Sequence, residues 1–265
     1  MLLVNKSMKV YFAAVGLLAL WVGAWGYFIP DRVDAAIPWL VPPLHARFLG
    51  AMYFSGMTFM IAGILSKYYF EVKVMIRVIA IWTGMLLIVS LFYLGEFDYS
   101  RGPVWFWFGA YILYPAIALW LMWRYRNQKE DIHGNPLPGR VKSYLIIQGG
   151  VVSLLAAALL FMPNAMVNLW PWKITRLLAQ IYSAPFLAYG LSSLMISRST
   201  MWQETRVIVV GTFVFAFGVL LASFIHRDLF TLTNLSTWIW FGGFLTATVM
   251  LGVLSQASIR AGGAA

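Results

Sequence analysis

The chain contains no cysteine, which excludes disulfides, thiolate nucleophiles, cysteine-ligated zinc and cysteine-held iron–sulfur clusters. Charge is scarce as well: 11% of the 265 residues are Asp, Glu, Lys or Arg, against about 25% in a soluble domain. Acidic residues are the scarcest, nine against nineteen basic ones, for a formal net charge of +10. Phosphate-cradling Gly-rich loops, His-Glu-x-x-His and Gly-x-Ser-x-Gly are all missing, so no motif-borne enzyme chemistry is expected. The three histidines, His45, His133 and His226, are scattered.

What is present is apolar: 62% of the residues are hydrophobic and 17% aromatic, with a mean hydropathy of +0.79. Apolar runs predict spans at 10–29, 47–65, 74–95, 104–123, 143–162, 177–196, 206–225 and 236–255, each about 20 residues, the length that crosses a hydrocarbon core. The expected fold class is an all-α integral membrane protein with eight transmembrane helices. An even number of spans puts both termini on one side. Thirteen of the nineteen basic residues fall on that side, and Arg32, Arg47, Arg101, Lys173, Arg176 and Arg227 on the other, which places both termini in the cytoplasm. The charge is thereby accounted for without nucleic acid. Short loops point to a bacterial or archaeal plasma (inner) membrane. The first run follows Lys6 and Lys9 but exceeds the roughly 7–15 residues of a signal peptide and has no A-x-A site, so a retained helix is expected.

Laid over each other without a gap, positions 9–121 and 142–254 give 22 identities in 113 positions. The matches include Pro30/Pro163, Pro38/Pro171, Trp39/Trp172, Ala46/Ala179, Glu71/Glu204, Ser90/Ser223, Phe97/Phe230 and Trp105-x-Trp107-Phe-Gly with Trp238-x-Trp240-Phe-Gly. A shared apolar bias would match Leu with Leu before it matched Trp and Pro, so a tandem duplication is expected. Two four-helix halves, 1–124 and 142–265, would flank a cytoplasmic linker at 125–141. Four spans per half is even, so the repeats would be parallel, related by an axis along the membrane normal.

Each half also carries a Pro/Trp-rich stretch too short to span, Pro30–Pro43 and Pro163–Thr175. Pro38, Trp39, Pro171 and Trp172, together with Trp105, Trp107, Trp238 and Trp240, are expected to anchor in the headgroup region, with a lid over a site as the competing use. Residues two apart on a helix point about 200° apart, so Trp105 and Trp107 cannot share one face.

Small residues four apart, Ala46/Gly50, Ala51/Ser55, Ala179/Ser183 and Ala184/Ala188, predict that spans two and six form the central contact between the halves. Pro115 and Pro185 have no proline at the matching positions, where Thr248 and Met52 stand; kinks there can open a cavity for a ligand. No charged residue lies deep within a span, which demotes ion-coupled transport. On the non-cytoplasmic side, His45, Glu96, Asp98, His226 and Asp228 form the best constellation that could ligate a metal, or a porphyrin through histidine. None has ligand spacing, so only folding could gather them, and solvated loop residues are the ordinary alternative.

The leading expectation is a non-enzymatic scaffold, auxiliary subunit or hydrophobic-ligand-binding component that meets the lipid bilayer, a larger membrane complex or a second copy. No cofactor is required by the sequence. The alternatives are a transporter or flippase for an uncharged or lipidic substrate, and an intramembrane enzyme with an outward metal or acid–base site.

Overall fold

A computed structural model describes residues 2–39, 41–128 and 135–262. Positions 129–134 of the expected linker, His133 among them, lie outside the described residues. Helix accounts for 81% of the structure, with no strand among the described residues. Among those residues nine α-helices follow in order: α1 (Lys6–Phe28), α2 (Pro43–Leu65), α3 (Tyr69–Phe92), α4 (Gly102–Arg124), α5 (Gly139–Phe161), α6 (Pro163–Leu169), α7 (Arg176–Ile196), α8 (Arg206–Ile225) and α9 (Leu235–Gly262).

Their starts have local causes. Asn5 accepts the Met8 amide at the head of α1 and Thr175 the Leu178 amide at the head of α7, filling donors that no helical carbonyl can reach. Glu71 turns back on the Lys67 and Tyr68 amides to open α3. Proline occupies the first turn of α2, α4 and α6, where its missing N–H costs nothing.

Seven of the described helices, α1 to α5, α8 and α9, are long and apolar enough to cross a membrane. The α7 helix differs in composition. It carries Tyr182, Ser183, Tyr189, Ser192 and Ser193, all buried against other helices. A helix covered by protein instead of lipid can keep such groups, because it needs no apolar outer surface.

Helix α1 packs on α2, α3 on α4, α5 on α7 and α8 on α9; α2 against α8 and α3 against α7 then join the two ends of the sequence. Close approach depends on particular glycines. A Cβ on Gly50 would stand 2.6 Å from the Tyr27 backbone nitrogen, and one on Gly190 2.7 Å from that of Ser153. The Phe59 ring lies directly on Gly211, and a Cβ on Gly218 would meet Ala51 at 2.8 Å.

The small-residue faces therefore work differently from the expectation. Gly50 and Ala46 receive α1, whose Gly26 would place a Cβ 2.8 Å from the Ala46 carbonyl. Ala51 and Ser55 instead meet α8, where the Ser55 hydroxyl donates to the Gly211 carbonyl at 2.7 Å. Helices α2 and α7 touch through large rings, Phe48 on Tyr182 with centroids 4.2 Å apart, and not through their small faces. The physical reason is that α2 has two sides: Ala46 and Gly50 are used within its hairpin with α1, Ala51 and Ser55 against α8 of the far half.

Many contacts of the first half recur at the matching positions of the second. The Trp107 indole donates to the Ser90 hydroxyl and that of Trp240 to Ser223. Trp105 donates to the Tyr99 carbonyl and Trp238 to that of Leu232. An isolated bridge pairs Leu3 with Tyr68 and another Pro136 with Met201. Glu204 binds the Thr200 and Met201 amides as Glu71 binds those of Lys67 and Tyr68.

These contacts sort the molecule into two ends. The terminal end gathers residues 3–5, 67–71, 125, 135–137, 200–206 and 261 through those bridges, Asn5 with Tyr125, Asn135 with the Ala261 carbonyl, and the Glu71–Arg206 ion pair. The far end holds the Pro/Trp segments.

Candidate functional site

At the far end the Pro/Trp segments turn into the bundle. Residues 30–35 form a single 3-10 stretch and the matching residues 163–169 the short helix α6; both lead into Pro-Trp pairs. Trp39 stands edge-on to Trp107 at 4.7 Å and Trp172 edge-on to Trp240 at 4.7 Å. Pro38, Pro171 and Trp172 are buried and Trp39 half-buried. This corrects the anchoring expectation for most of these residues. Trp105 and Trp238 are 63% and 61% exposed, whereas Trp107 and Trp240 are 2% and 6% exposed. The helical rotation between neighbours two apart sends one ring of each pair outward and the other into the bundle, where edge-to-face packing holds it.

The five proposed metal ligands are not gathered: among the described residues no group of three His, Cys, Asp or Glu is placed to hold a metal ion. His45 is not a solvated loop residue but a 4% exposed side chain in the first turn of α2. Its Nε2 lies 3.2 Å from the Lys173 carbonyl, which can only accept, so Nε2 carries the proton and Nδ1 accepts from the Tyr182 hydroxyl. Asp98 is occupied by the Ser100 hydroxyl and amide, which hold its carboxyl below the usual carboxylate range. Glu96 and Asp228 sit in short 3-10 turns that follow α3 and α8.

His226 faces Arg47, whose Nη1 lies 2.6 Å from its Nε2. A guanidinium only donates, so Nε2 accepts; its lone pair is spent on Arg47, and the adjacent positive charge disfavours a cation there. Burial first, then Arg47, depress the His226 pKa below the usual 6.5, with Asp228 pulling the other way. Between that depressed value and about 6.5 the unfolded chain binds the proton more readily than the folded one, so stability falls as pH falls through this window. The unfolding midpoint of the protein is therefore expected to drop on acidification below about pH 6.5. His226→Gln should reduce the slope in that part of the profile, and an unchanged slope would show that His226 does not contribute.

A walled but unfilled space lies elsewhere, inside the first four helices. This cavity of about 70 Å³ is lined by Val15, Ala19 and Val22 of α1, Tyr53 and Gly56 of α2, Trp82 and Thr83 of α3, and Trp107, Tyr111 and Tyr114 of α4, among others. That is room for about two waters at roughly 30 Å³ each, or for the head of a larger ligand. The cavity reaches the surface between α1 and α4, where Val15, Leu18, Ala110 and Tyr114 are only partly buried. Side chains bridge that seam: Trp21 edge-on to Phe106, and the Tyr11 hydroxyl donating to the Tyr114 carbonyl.

Polar atoms in the wall are few. The Tyr53 and Tyr111 hydroxyls share one hydrogen bond of 2.7 Å, and Thr83 donates to its own helix at Ile79. The Trp82 indole nitrogen and the Tyr114 hydroxyl are buried without a partner among the described residues. Pro115 follows Tyr114 directly and, lacking an N–H, leaves the Tyr111 carbonyl without its helical donor. Pro185 is not part of this wall, so the two expected kinks do not line one cavity.

At the matching positions of α7 to α9 stand Phe186, Tyr189, Phe215, Phe244 and Ala247, in place of Tyr53, Gly56, Trp82, Tyr111 and Tyr114. The Tyr189 ring stacks on Phe215 with centroids 4.5 Å apart, filling the space that Gly56 leaves open beside Trp82. None of these wall residues other than Trp107 was singled out from the sequence. The available signal was the set of positions where the repeat register fails, above all Gly56 against Tyr189.

Comparison with protein-family profiles, with curated proteins and with solved structures gives no match.

Proposed function

We propose that the chain is a non-enzymatic membrane component that binds a hydrophobic ligand in the cavity of its first four helices. In this reading α7 is an eighth span, the two halves are a parallel tandem duplication, and both termini are cytoplasmic in a bacterial or archaeal plasma membrane. The contacts repeated at matching positions support the duplication, and the protein-covered surface of α7 supports its crossing despite a more polar composition.

The observation that carries the functional reading is the difference between the halves. One half keeps an aromatic-walled space and the other fills it with Tyr189. A packing defect would cost stability without return, and apolar pockets with a few placed polar groups are what small-molecule sites look like. Passage of an uncharged substrate between the halves has less support, since glycines and rings close that seam at Gly211–Phe59 and Gly218–Ala51.

Native mass spectrometry of the protein in mild detergent tests the reading. A reproducible extra mass is expected on the unaltered chain and is lost on Gly56→Tyr; an extra mass kept by the variant rules the cavity out as its seat. The absence of native cysteine lets topology be tested cleanly with single substitutions. Lys6→Cys and Asp228→Cys should label from opposite sides of sealed vesicles, and labelling from one side overturns the eight-span arrangement.

A further inference from the structure

We infer that the ligand of this cavity is an uncharged, lipid-soluble molecule that presents carbonyl oxygens to the wall, the chemistry shared by a quinone head and a glyceride ester. The inference rests on the ligand-binding reading above and adds the polarity of what is bound.

Among the described residues the wall contains no Asp, Glu, Lys, Arg or His, so nothing there would hold a charged group away from water. Its unspent side-chain capacity includes several donors, with the Tyr111 carbonyl freed by Pro115 as a backbone acceptor beside them. The indole N–H of Trp82 can only donate, and it is buried without a partner among the described residues. The Tyr114 hydroxyl is unpartnered there too. In the Tyr53–Tyr111 pair one hydroxyl donates to the other, which leaves the second hydroxyl hydrogen unused.

Depth makes these vacancies informative. Trp82 and Tyr114 lie near the middles of α3 and α4, where a bilayer supplies no water. Buried unpartnered atoms also occur at Trp39, Trp170 and Trp172 outside the long helices and at Gln148, Ser153, Tyr189 and Thr248 within them, but none of these residues lines the space.

The donors and the space also come together. In the second half the positions of Trp82, Tyr114, Tyr53 and Tyr111 are held by Phe215, Ala247, Phe186 and Phe244, which offer no side-chain donor. There the position of Gly56 is held by Tyr189, and the space is filled. Where the room is absent, these four donors are absent as well, although Tyr189, which fills it, brings a buried unpartnered hydroxyl of its own. A carbonyl oxygen with two lone pairs satisfies such donors without bringing a charge or a competing donor. An apolar tail would leave through the partly exposed seam between α1 and α4.

The test titrates purified protein in detergent with 2-decyl-1,4-benzoquinone, didecanoylglycerol and decylbenzene, read by calorimetry and native mass spectrometry. The carbonyl probes are expected to bind at least about tenfold more tightly than decylbenzene. The double variant Trp82→Phe/Tyr114→Phe should erase that advantage, so that the carbonyl probes and decylbenzene bind the variant with equal affinity. Gly56→Tyr and, separately, Ala110→Leu should exclude all three probes; two fillers are used so that one misfolded variant, recognised by its unfolding midpoint, does not decide the outcome. Whichever carbonyl probe binds more tightly identifies a quinone or a glyceride as the source. Equal affinity for carbonyl probes and decylbenzene, or an advantage that survives the double variant, overturns the acceptor inference and leaves the cavity reading standing. Binding that both fillers leave intact, or no binding of any probe, overturns the cavity reading itself.

Discussion

Gly50→Ala is expected to destabilise the protein by about 3 kcal/mol, the upper part of the range for overpacking a tight contact. The added methyl would stand 2.6 Å from the Tyr27 backbone nitrogen and 2.9 Å from its Cα. Backbone cannot swing aside as a side-chain tip can, so α1 and α2 would have to separate along their length. Gly190→Ala should behave alike, because its Cβ would meet the Ser153 backbone of α5 at 2.7 Å. Gly109→Ala is the control: nothing lies within 4 Å of its Cβ, and removing a glycine from a helix interior should stabilise by about 0.5–1 kcal/mol. Thermal unfolding in detergent reads all three, and a Gly50→Ala midpoint equal to the unaltered protein's would mean that α1 and α2 are not held this closely.

The second large effect is at the buried pair that crosses between the halves. His45→Leu leaves the Tyr182 hydroxyl without its acceptor, and Tyr182→Phe leaves His45 Nδ1 without its donor. Each should cost about 2 kcal/mol, within the range for stranding a buried polar partner. The double variant His45→Leu/Tyr182→Phe strands neither group, so its cost should fall short of the sum by about 1–2 kcal/mol. The sequence already contains the apolar version, since the repeat register sets Leu178 and Leu49 at the matching positions. Single costs that simply add would show that packing of the Tyr182 ring against Phe48, and not the hydrogen bond, holds this contact.

The corrections at the far end share one cause. Trp107 and Trp240 look like belt residues in sequence because they sit at helix ends beside Trp105 and Trp238. Which ring turns inward depends on what stands across from it: Ser90 and Ser223 accept the two inward indoles, and Trp39 and Trp172 cover them. Those partners belong to other segments of the chain, beyond the reach of any local pattern. His45 follows the same logic, being buried because Lys173 and Tyr182 arrive from the other half.

Where the helices run was legible in the apolar runs alone. Each of the eight runs falls on a helix of twenty residues or more, although 10–29 and 143–162 run one residue and 74–95 three residues past the helix end. The reason is that apolar length and the need to satisfy backbone groups internally are local properties of a segment. The lack of cysteine likewise removed thiol chemistry, and the lack of charge deep in the runs demoted ion-coupled transport. Packing chose which faces meet: Ala51 and Ser55 serve α8 while Ala46 and Gly50 serve α1, and an unfilled space remains beside Gly56 in one half only. Those outcomes follow from the fit of side chains brought together from distant segments. Helical periodicity names the residues on a face, but only the opposing surface decides whether that face closes, as at Tyr189, or leaves room, as at Gly56.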